Sequence, residues 1–184
     1  MPRTTARQGD YQMLVEGTST PVNLIPCGTQ LQNFCNEKSV YKQIFNVRGC
    51  GWLDGGCLTL ALALRFWLPV GTTVCAVVTG GIADHAVIRI PSALTHASLR
   101  DVFLDADGVA SEADMLRKFK SYAQKDRGIL RGLESRDELY VNVAVAQTLE
   151  CRLKVALGDS RVWLQALTDQ LRRVYECRHL PNKI

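Results

Sequence analysis

One cysteine of the chain directly follows a pair of glycines at the start of an apolar run. The stretch "GWLDGGCLTLA" places Cys57 behind Gly55 and Gly56 and ahead of helix-forming residues that continue to Leu68. The helix dipole and the unpaired N–H groups of a helix start favour a thiolate and can bind an oxyanion. The pattern therefore predicts that Cys57 is a nucleophile whose own backbone N–H helps to hold the oxyanion, with small glycines that let a substrate approach.

A nucleophilic thiol needs a base, and a histidine lies within a later strand-like run. In "IADHAVIRI" (82–90) the alternation of a β-strand places His85 on the face opposite Ile88 and Ile90. The other two histidines lie in a polar loop and near the C-terminus. We therefore expect His85 to point away from the main core, towards whatever covers the other side of the sheet, and to act as the base for Cys57.

A carboxylate that orients the imidazole would complete the set. The stretch "VFLDADG" (102–108) supplies Asp105 and Asp107, which share one face if the strand continues. Either carboxylate could accept a hydrogen bond from His85, although Asp and Gly are also common in turns. We predict Asp105, which still belongs to the strand, as the third catalytic residue and keep Asp107 as the alternate third member.

The order of Cys57, His85 and Asp105 resembles that of the papain-like and transglutaminase-like cysteine hydrolase superfamily. The blocks "GGCLTLALAL", "DHAVIRI" and "VFLDADG" are similar to its three motif blocks, particularly in compact bacterial and phage members. The resemblance implies an α+β, papain-like fold, in which the helix bearing the cysteine packs on a small antiparallel sheet with additional C-terminal helices. It implies a thiol-dependent hydrolase or acyl transferase (protease, amidase or deamidase) that acts on an amide or ester carbonyl, with a bacterial or phage effector as one role.

The resemblance also bears on partners and on the oxyanion site. It implies a protein or peptide substrate and neither a metal nor an organic cofactor. Papain itself has a glutamine just before its cysteine, whereas Gly51 and Trp52 stand near that place here. The indole N–H of Trp52 is therefore a candidate oxyanion donor, as a tryptophan is in transglutaminases, beside the backbone N–H of Cys57.

Two other functions remain open at this point. "VFLDADGVA" also resembles the first motif of haloacid-dehalogenase-type phosphatases, in which Asp105 would be the nucleophile, Asp107 an acid/base, and Mg²⁺ would bind. A later motif of these phosphatases is matched by the "GD" of "KVALGDSRVW", but the acid that should follow it about four residues on is missing. A phosphatase would also leave "GWLDGGC" unexplained. The second alternative is a non-catalytic binding or inhibitory protein on the same fold.

Composition restricts the remaining classes. The chain has 184 residues, 47% of them hydrophobic and 22% charged, which is typical of one globular domain. No apolar run reaches the roughly 20 residues of a membrane span. The seven cysteines contain no CxxC pair, and the net charge of +4 is mild, so neither a zinc finger nor nucleic-acid binding is favoured.

The N-terminus concerns the location of the protein. The stretch "MPRTTARQGDYQ" has no apolar segment of the kind found in secretory signal peptides. We therefore expect a cytoplasmic protein with reduced cysteines, with specialised export to a host cell as an open alternative. Residues 1–20 are predicted to be a disordered or irregular lead-in to a single catalytic domain over 21–180.

Periodicity and turn residues predict the elements that must position these side chains. We expect strands over 73–79 and 82–90 joined at Gly80–Gly81, and a third strand over 101–105. The predicted helices cover 29–47, 58–68, 111–122 with Ser111 as N-cap, and two segments after Asp137 separated by "GDS".

Overall fold

The computed structural model describes residues 26–48, 51–79, 82–95, 100–120, 129–132 and 143–179. These ranges hold seven α-helices: α1 (Pro26–Asn36), α2 (Lys38–Arg48), α3 (Cys57–Trp67), α4 (Ser92–Thr95), α5 (Glu112–Lys120), α6 (Val143–Leu157) and α7 (Ser160–His179). They also hold five strands: β1 (Thr73–Thr79), β2 (Ile82–Ile90), β3 (Val102–Asp105), β4 (Gly108–Ser111) and β5 (Ile129–Gly132). The predicted lead-in over 1–20 lies outside the described residues. None of the described helices is both long and apolar enough to cross a membrane.

The strands form one antiparallel sheet in the order β4-β3-β2-β1-β5. Strands β1 and β2 have the predicted bounds, although their glycine turn at 80–81 lies outside the described residues. The predicted α+β class is therefore confirmed. Strands β4 and β5, of four residues each, were not predicted.

The two faces of the sheet carry two separate cores. Helices α1, α3, α6 and α7 cover the larger core, to which β2 contributes Ile88 and Ile90. Helix α5 covers the opposite face, where its residues Met115 and Phe119 pack against Val87 and neighbouring strand residues. The alternation in β2 was thus predicted correctly, and α5 is the element that lies over the face of His85.

The first predicted helix, over 29–47, is in fact two helices. Glu37 interrupts it: its N–H donates to the carbonyl of Phe34 at 3.2 Å, and its own carbonyl accepts from Val40 and Tyr41, both at 2.9 Å. The apolar residues Phe34 and Val40 on either side of the break are six residues apart, a spacing that does not fit one continuous helix and that the prediction overlooked. The break allows both α1 and α2 to pack beside the segment that leads to Cys57.

The start of α5 follows the predicted capping pattern. The backbone N–H of Asp114 donates to Oγ of Ser111 at 3.2 Å, and the Ser111 hydroxyl donates to Oδ2 of Asp114 at 2.7 Å. The serine side chain therefore satisfies one of the N–H groups that a helix start leaves unpaired. This cap fixes where α5 begins, and hence which of its residues face the sheet.

The tight turn between β3 and β4 makes Gly108 sensitive to substitution. Its φ is +102°, and a Cβ at this position would lie 2.8 Å from the carbonyl oxygen of Gly28 in α1. We expect Gly108→Ala to lower the free energy of unfolding by about 3 kcal/mol, through backbone strain and the clash together. Gly158→Ala is the matched control, because φ is +82° there but a Cβ would meet no described residue within 4 Å. Equal losses for both variants in urea unfolding would show that the close approach to α1 is unimportant.

Candidate active site

Cys57 is the first residue of α3, but a helical turn rather than a loop precedes it. Residues Trp52–Gly56 form one π-helical turn, in which the N–H of Gly56 donates to the carbonyl of Gly51 at 3.0 Å. Cys57 therefore does not begin an isolated helix, as the sequence predicted, because the π turn continues directly into α3. The role of the Cys57 backbone N–H in binding an oxyanion stays a prediction.

The glycine before the cysteine has a packing role. A Cβ on Gly56 would lie 2.5 Å from Cγ2 of Ile44 and 2.9 Å from the carbonyl oxygen of Gly51. Gly56 is buried against α2, so it does not provide access for a substrate as the sequence suggested. The preceding Gly55 has a φ of +123°, which a residue with a Cβ rarely adopts.

Trp52 does not fit the predicted role of oxyanion donor. Its side chain is 7% exposed, and its indole N–H donates to the carbonyl of Cys35 at 3.0 Å. An indole has a single N–H donor, so this hydrogen bond leaves none for an oxyanion. Trp52 instead ties the π turn to α1, and the prediction for its side chain is corrected accordingly.

The predicted base and orienting carboxylate meet. His85 is 3% exposed, and its Nε2 lies 3.1 Å from Oδ2 of Asp105. The ring of Phe119 from α5 stacks on the imidazole with centroids 4.5 Å apart and an interplanar angle of 27°. The imidazole is therefore held at one nitrogen and on one face, as a group oriented for proton transfer should be.

The second nitrogen of His85 remains available to the thiol. Nδ1 is buried and makes no hydrogen bond of standard geometry within the described residues. The Cys57 thiol nevertheless interacts with the ring closely enough to shift its pKa. Such contacts are often loosely aligned before a substrate binds. The sulfur and the imidazole are thus neighbours, with Nδ1 as the nitrogen that can serve Cys57.

A β-bulge lies immediately before the histidine. Val77 of β1 is opposite His85, whereas the next residue, Val78, is opposite Ala83, which leaves Asp84 as an extra residue in β2. Bulges bend a strand and re-aim the adjacent side chains. The sequence carried no glycine at this point to indicate the bulge.

The two candidate aspartates occupy different places. Asp105 is 4% exposed; its Oδ2 faces both His85 and Nζ of Lys118, and its Oδ1 accepts the backbone N–H of Asp107 at 2.9 Å. The Asp107 side chain is 36% exposed and pairs with Lys118. The structure therefore brings Asp105 to His85, and the alternate choice of Asp107 as third member is not supported.

A lysine that the sequence analysis missed completes the cluster. Nζ of Lys118 lies 2.6 Å from Oδ2 of Asp105, and its side chain is 15% exposed. In α5 it is adjacent to Phe119 and three residues after Met115, both of which face the sheet. A lysine bordering the apolar face of an amphipathic helix just after "DADG" was the signal that could have identified it.

The pKa shifts of Cys57 and His85 favour transfer of the thiol proton to the imidazole. Burial raises the pKa of Cys57, but the His85 side chain and the backbone N–H groups of Ala86 and Leu58 outweigh it and lower the pKa overall. Burial lowers the pKa of His85, but Asp105 and Cys57 together raise it above its usual value. Both shifts bring the pair closer to a thiolate beside an imidazolium.

For Asp105 and Lys118 too, the neighbouring charges shift the pKa more than burial does. Burial raises the pKa of Asp105, but His85 and Lys118 bring it below its usual value. Burial lowers the pKa of Lys118, whereas Asp105 and Asp107 raise it by more. Both groups are therefore ionised at neutral pH.

The arrangement also bears on the phosphatase alternative. Both carboxylate oxygens of Asp105 accept hydrogen bonds from the chain itself, which does not leave this side chain open to attack a phosphate. Within the described ranges, no three or more Cys, His, Asp or Glu side chains gather as a metal-binding group. The geometry favours Asp105 as a partner of His85.

Comparison of the chain with protein-family models, with curated proteins and with solved structures found no match.

Proposed function

We propose that the protein is a thiol-dependent hydrolase or acyl transferase of papain-like fold, with Cys57 as nucleophile, His85 as acid and base, and Asp105 as the group that orients the imidazole. One observation carries this proposal. The buried His85 is bonded to Asp105 through Nε2, while its other nitrogen remains available to a thiol whose pKa is lowered. This arrangement supports a histidine that exchanges a proton with the thiol while the carboxylate holds its ring.

The geometry supports a two-step acyl transfer. The Cys57 thiolate attacks an amide or ester carbonyl, and the resulting tetrahedral intermediate expels its amine or alcohol, which takes a proton from the His85 imidazolium. The product is a thioester on Cys57. Neutral His85 then removes a proton from water or an amine, which attacks the thioester and releases the thiol. Asp105 holds the ring throughout and stabilises its charged form.

Two further parts of the proposal concern substrate and setting. The similarity of the three motif blocks supports a protein or peptide substrate, as in a protease, amidase or deamidase, and a role as an effector. The five cysteines whose side chains are described are unpaired thiols, namely Cys27, Cys35, Cys57, Cys75 and Cys151. Unpaired thiols support action in a reducing compartment such as the cytoplasm.

Acylation by p-nitrophenyl acetate tests the reaction without knowledge of the natural substrate. We expect a burst of p-nitrophenol equal to one equivalent of protein and an acetyl group on Cys57 in peptide mass spectra. Cys57→Ser should reduce the burst rate at least about 100-fold, because a serine hydroxyl is not ionised at neutral pH. Cys151→Ser removes an exposed thiol outside the site and should leave the burst intact.

Other results would contradict the proposal. Acetylation spread over several thiols, or a burst that survives in Cys57→Ser, would remove Cys57 as the nucleophile. Mg²⁺-dependent release of phosphate that is lost in Asp105→Asn but kept in Cys57→Ala would establish the phosphatase alternative. A folded protein whose Cys57 reacts no faster than Cys75 would favour a binding protein without turnover.

A further inference from the structure

Lys118 joins the catalytic cluster from the side opposite Cys57. Its Nζ contacts the same carboxylate oxygen of Asp105 that accepts from His85, and it also pairs with Asp107 at the rim of the site. Nζ lies 5.5 Å from the centroid of the Phe119 ring, which itself stacks on His85. Helix α5 therefore supplies both the cover of the imidazole and a cation for its partner.

The charges of these four side chains alternate along the cluster. In the ion-pair state that the proposed function requires, they run from the Cys57 thiolate to the His85 imidazolium, the Asp105 carboxylate and the Lys118 ammonium. Without the ammonium, the other three would leave a net negative charge in a buried site, which is costly. Uptake of one proton would neutralise this negative charge. If the Cys57 sulfur or the Asp105 carboxylate took up that proton, the ion pair between Cys57 and His85 would be lost or would lose its support.

We propose that Lys118 is a positioning residue of the proposed catalytic triad, holding Asp105 ionised and directed at His85 so that the Cys57 thiolate can form. This inference rests on the proposed function. It assigns no contact between Lys118 and the substrate. Lys118 acts through Asp105, and the same bond secures α5 to the turn between β3 and β4.

Other charged groups near the cluster do not take this role. From α1, the Cys35 thiol faces both aspartates, but burial raises its pKa, so it is neutral. On α5 itself, Arg117 forms an ion pair with Asp114 at 2.7 Å. Among the side chains of α5 that the structure describes, Lys118 is the cation that contacts Asp105.

The pH dependence of Cys57 alkylation by iodoacetamide tests this role, because its acid limb reports formation of the thiolate. We expect Lys118→Met to move the acid limb upward by about one pH unit, since removal of a nearby cation raises the pKa of the groups around it. At a pH on that limb, alkylation should be about tenfold slower. Lys118→Arg keeps the charge and should keep the acid limb near that of the wild type.

Asp107→Asn provides a control of opposite sign. It removes an anion but keeps the bond between Lys118 and Asp105, so the acid limb should move downward or stay in place. If Lys118→Met does not fold, Lys118→Gln offers a polar replacement without charge and the same expected upward shift.

An unchanged acid limb in a folded Lys118→Met or Lys118→Gln protein would overturn the inference, as would an equal shift in Lys118→Arg. These results differ from failure of the proposed function. In that case Cys57→Ser would leave ester acylation unaffected, whatever Lys118 does. Acylation of Cys57 combined with an unmoved acid limb would contradict the role of Lys118 alone.

Discussion

His85→Ala should slow the alkylation of Cys57 by iodoacetamide at pH 6 by about 100-fold. An ordinary thiol with a pKa of about 8.5 is less than about 1% ionised at pH 6. The burial of Cys57 would reduce that fraction further once the imidazole is gone. The expected decrease in alkylation rate is smaller than the decrease in the fraction of Cys57 present as thiolate. The reason is that a thiolate of low pKa, as in the wild type, is intrinsically a weaker nucleophile. Peptide mass spectrometry of samples taken over time measures the rate at each cysteine.

The exposed Cys151 serves as the internal control in this experiment. Its alkylation rate should be the same in the wild type and in His85→Ala, because it lies outside the site. The difference in Cys57 alkylation rate between the wild type and His85→Ala should also become smaller as the pH is raised, because a thiol without a neighbouring base ionises at high pH. Equal rates at Cys57 in both proteins at pH 6 would show that His85 does not activate the thiol.

The sequence allowed prediction of what depends on local pattern. The alternation in β2 correctly separated the face of His85 from that of Ile88, and Ser111 marked the start of α5. Asp105 could be preferred to Asp107 because it still belonged to a strand, and it is the residue that contacts His85. In each case the deciding signal lay within a few residues of the side chain.

The parts that were missed depend on contacts between distant segments. Gly56 was interpreted as an opening for substrate, but Ile44 of α2 fills that space. Trp52 had an N–H suited to an oxyanion, yet the Cys35 carbonyl 17 residues earlier accepts it. Lys118 is one of several basic residues in α5, and only the packing of that helix on the sheet brings it to Asp105. Such pairings are decided by tertiary packing.

Asp105→Ala should lower the free energy of unfolding at pH 7 by about 3–5 kcal/mol and abolish the acylation burst. The substitution leaves the buried His85 and the partly buried Lys118 without the carboxylate that both contact. Removal of one partner from a buried ion pair is costly because the remaining charge stays desolvated. Asp105→Asn keeps the shape of the side chain, so we expect a smaller loss of stability but still a strong loss of acylation. Urea unfolding and the ester burst measure the two effects.

Asp107→Asn shows how far the loss of stability in Asp105→Ala depends on burial, because Asp107 also carries a charge that pairs with Lys118 but is more exposed. The Asp107 side chain is 36% exposed, so its removal should lower the free energy of unfolding by less than about 1 kcal/mol.

The stability of the protein at acid pH tests the charge of Asp105 in a second way, because the pKa of Asp105 in the folded protein is below its unfolded value of about 3.9. The stability from ionised Asp105 is thus complete above about pH 4 and is lost as the pH falls through the folded pKa. The difference in free energy of unfolding between the wild type and Asp105→Asn should therefore be smaller at pH 3 than at pH 7. A difference that does not change with pH would mean that the charge of Asp105 does not stabilise the fold.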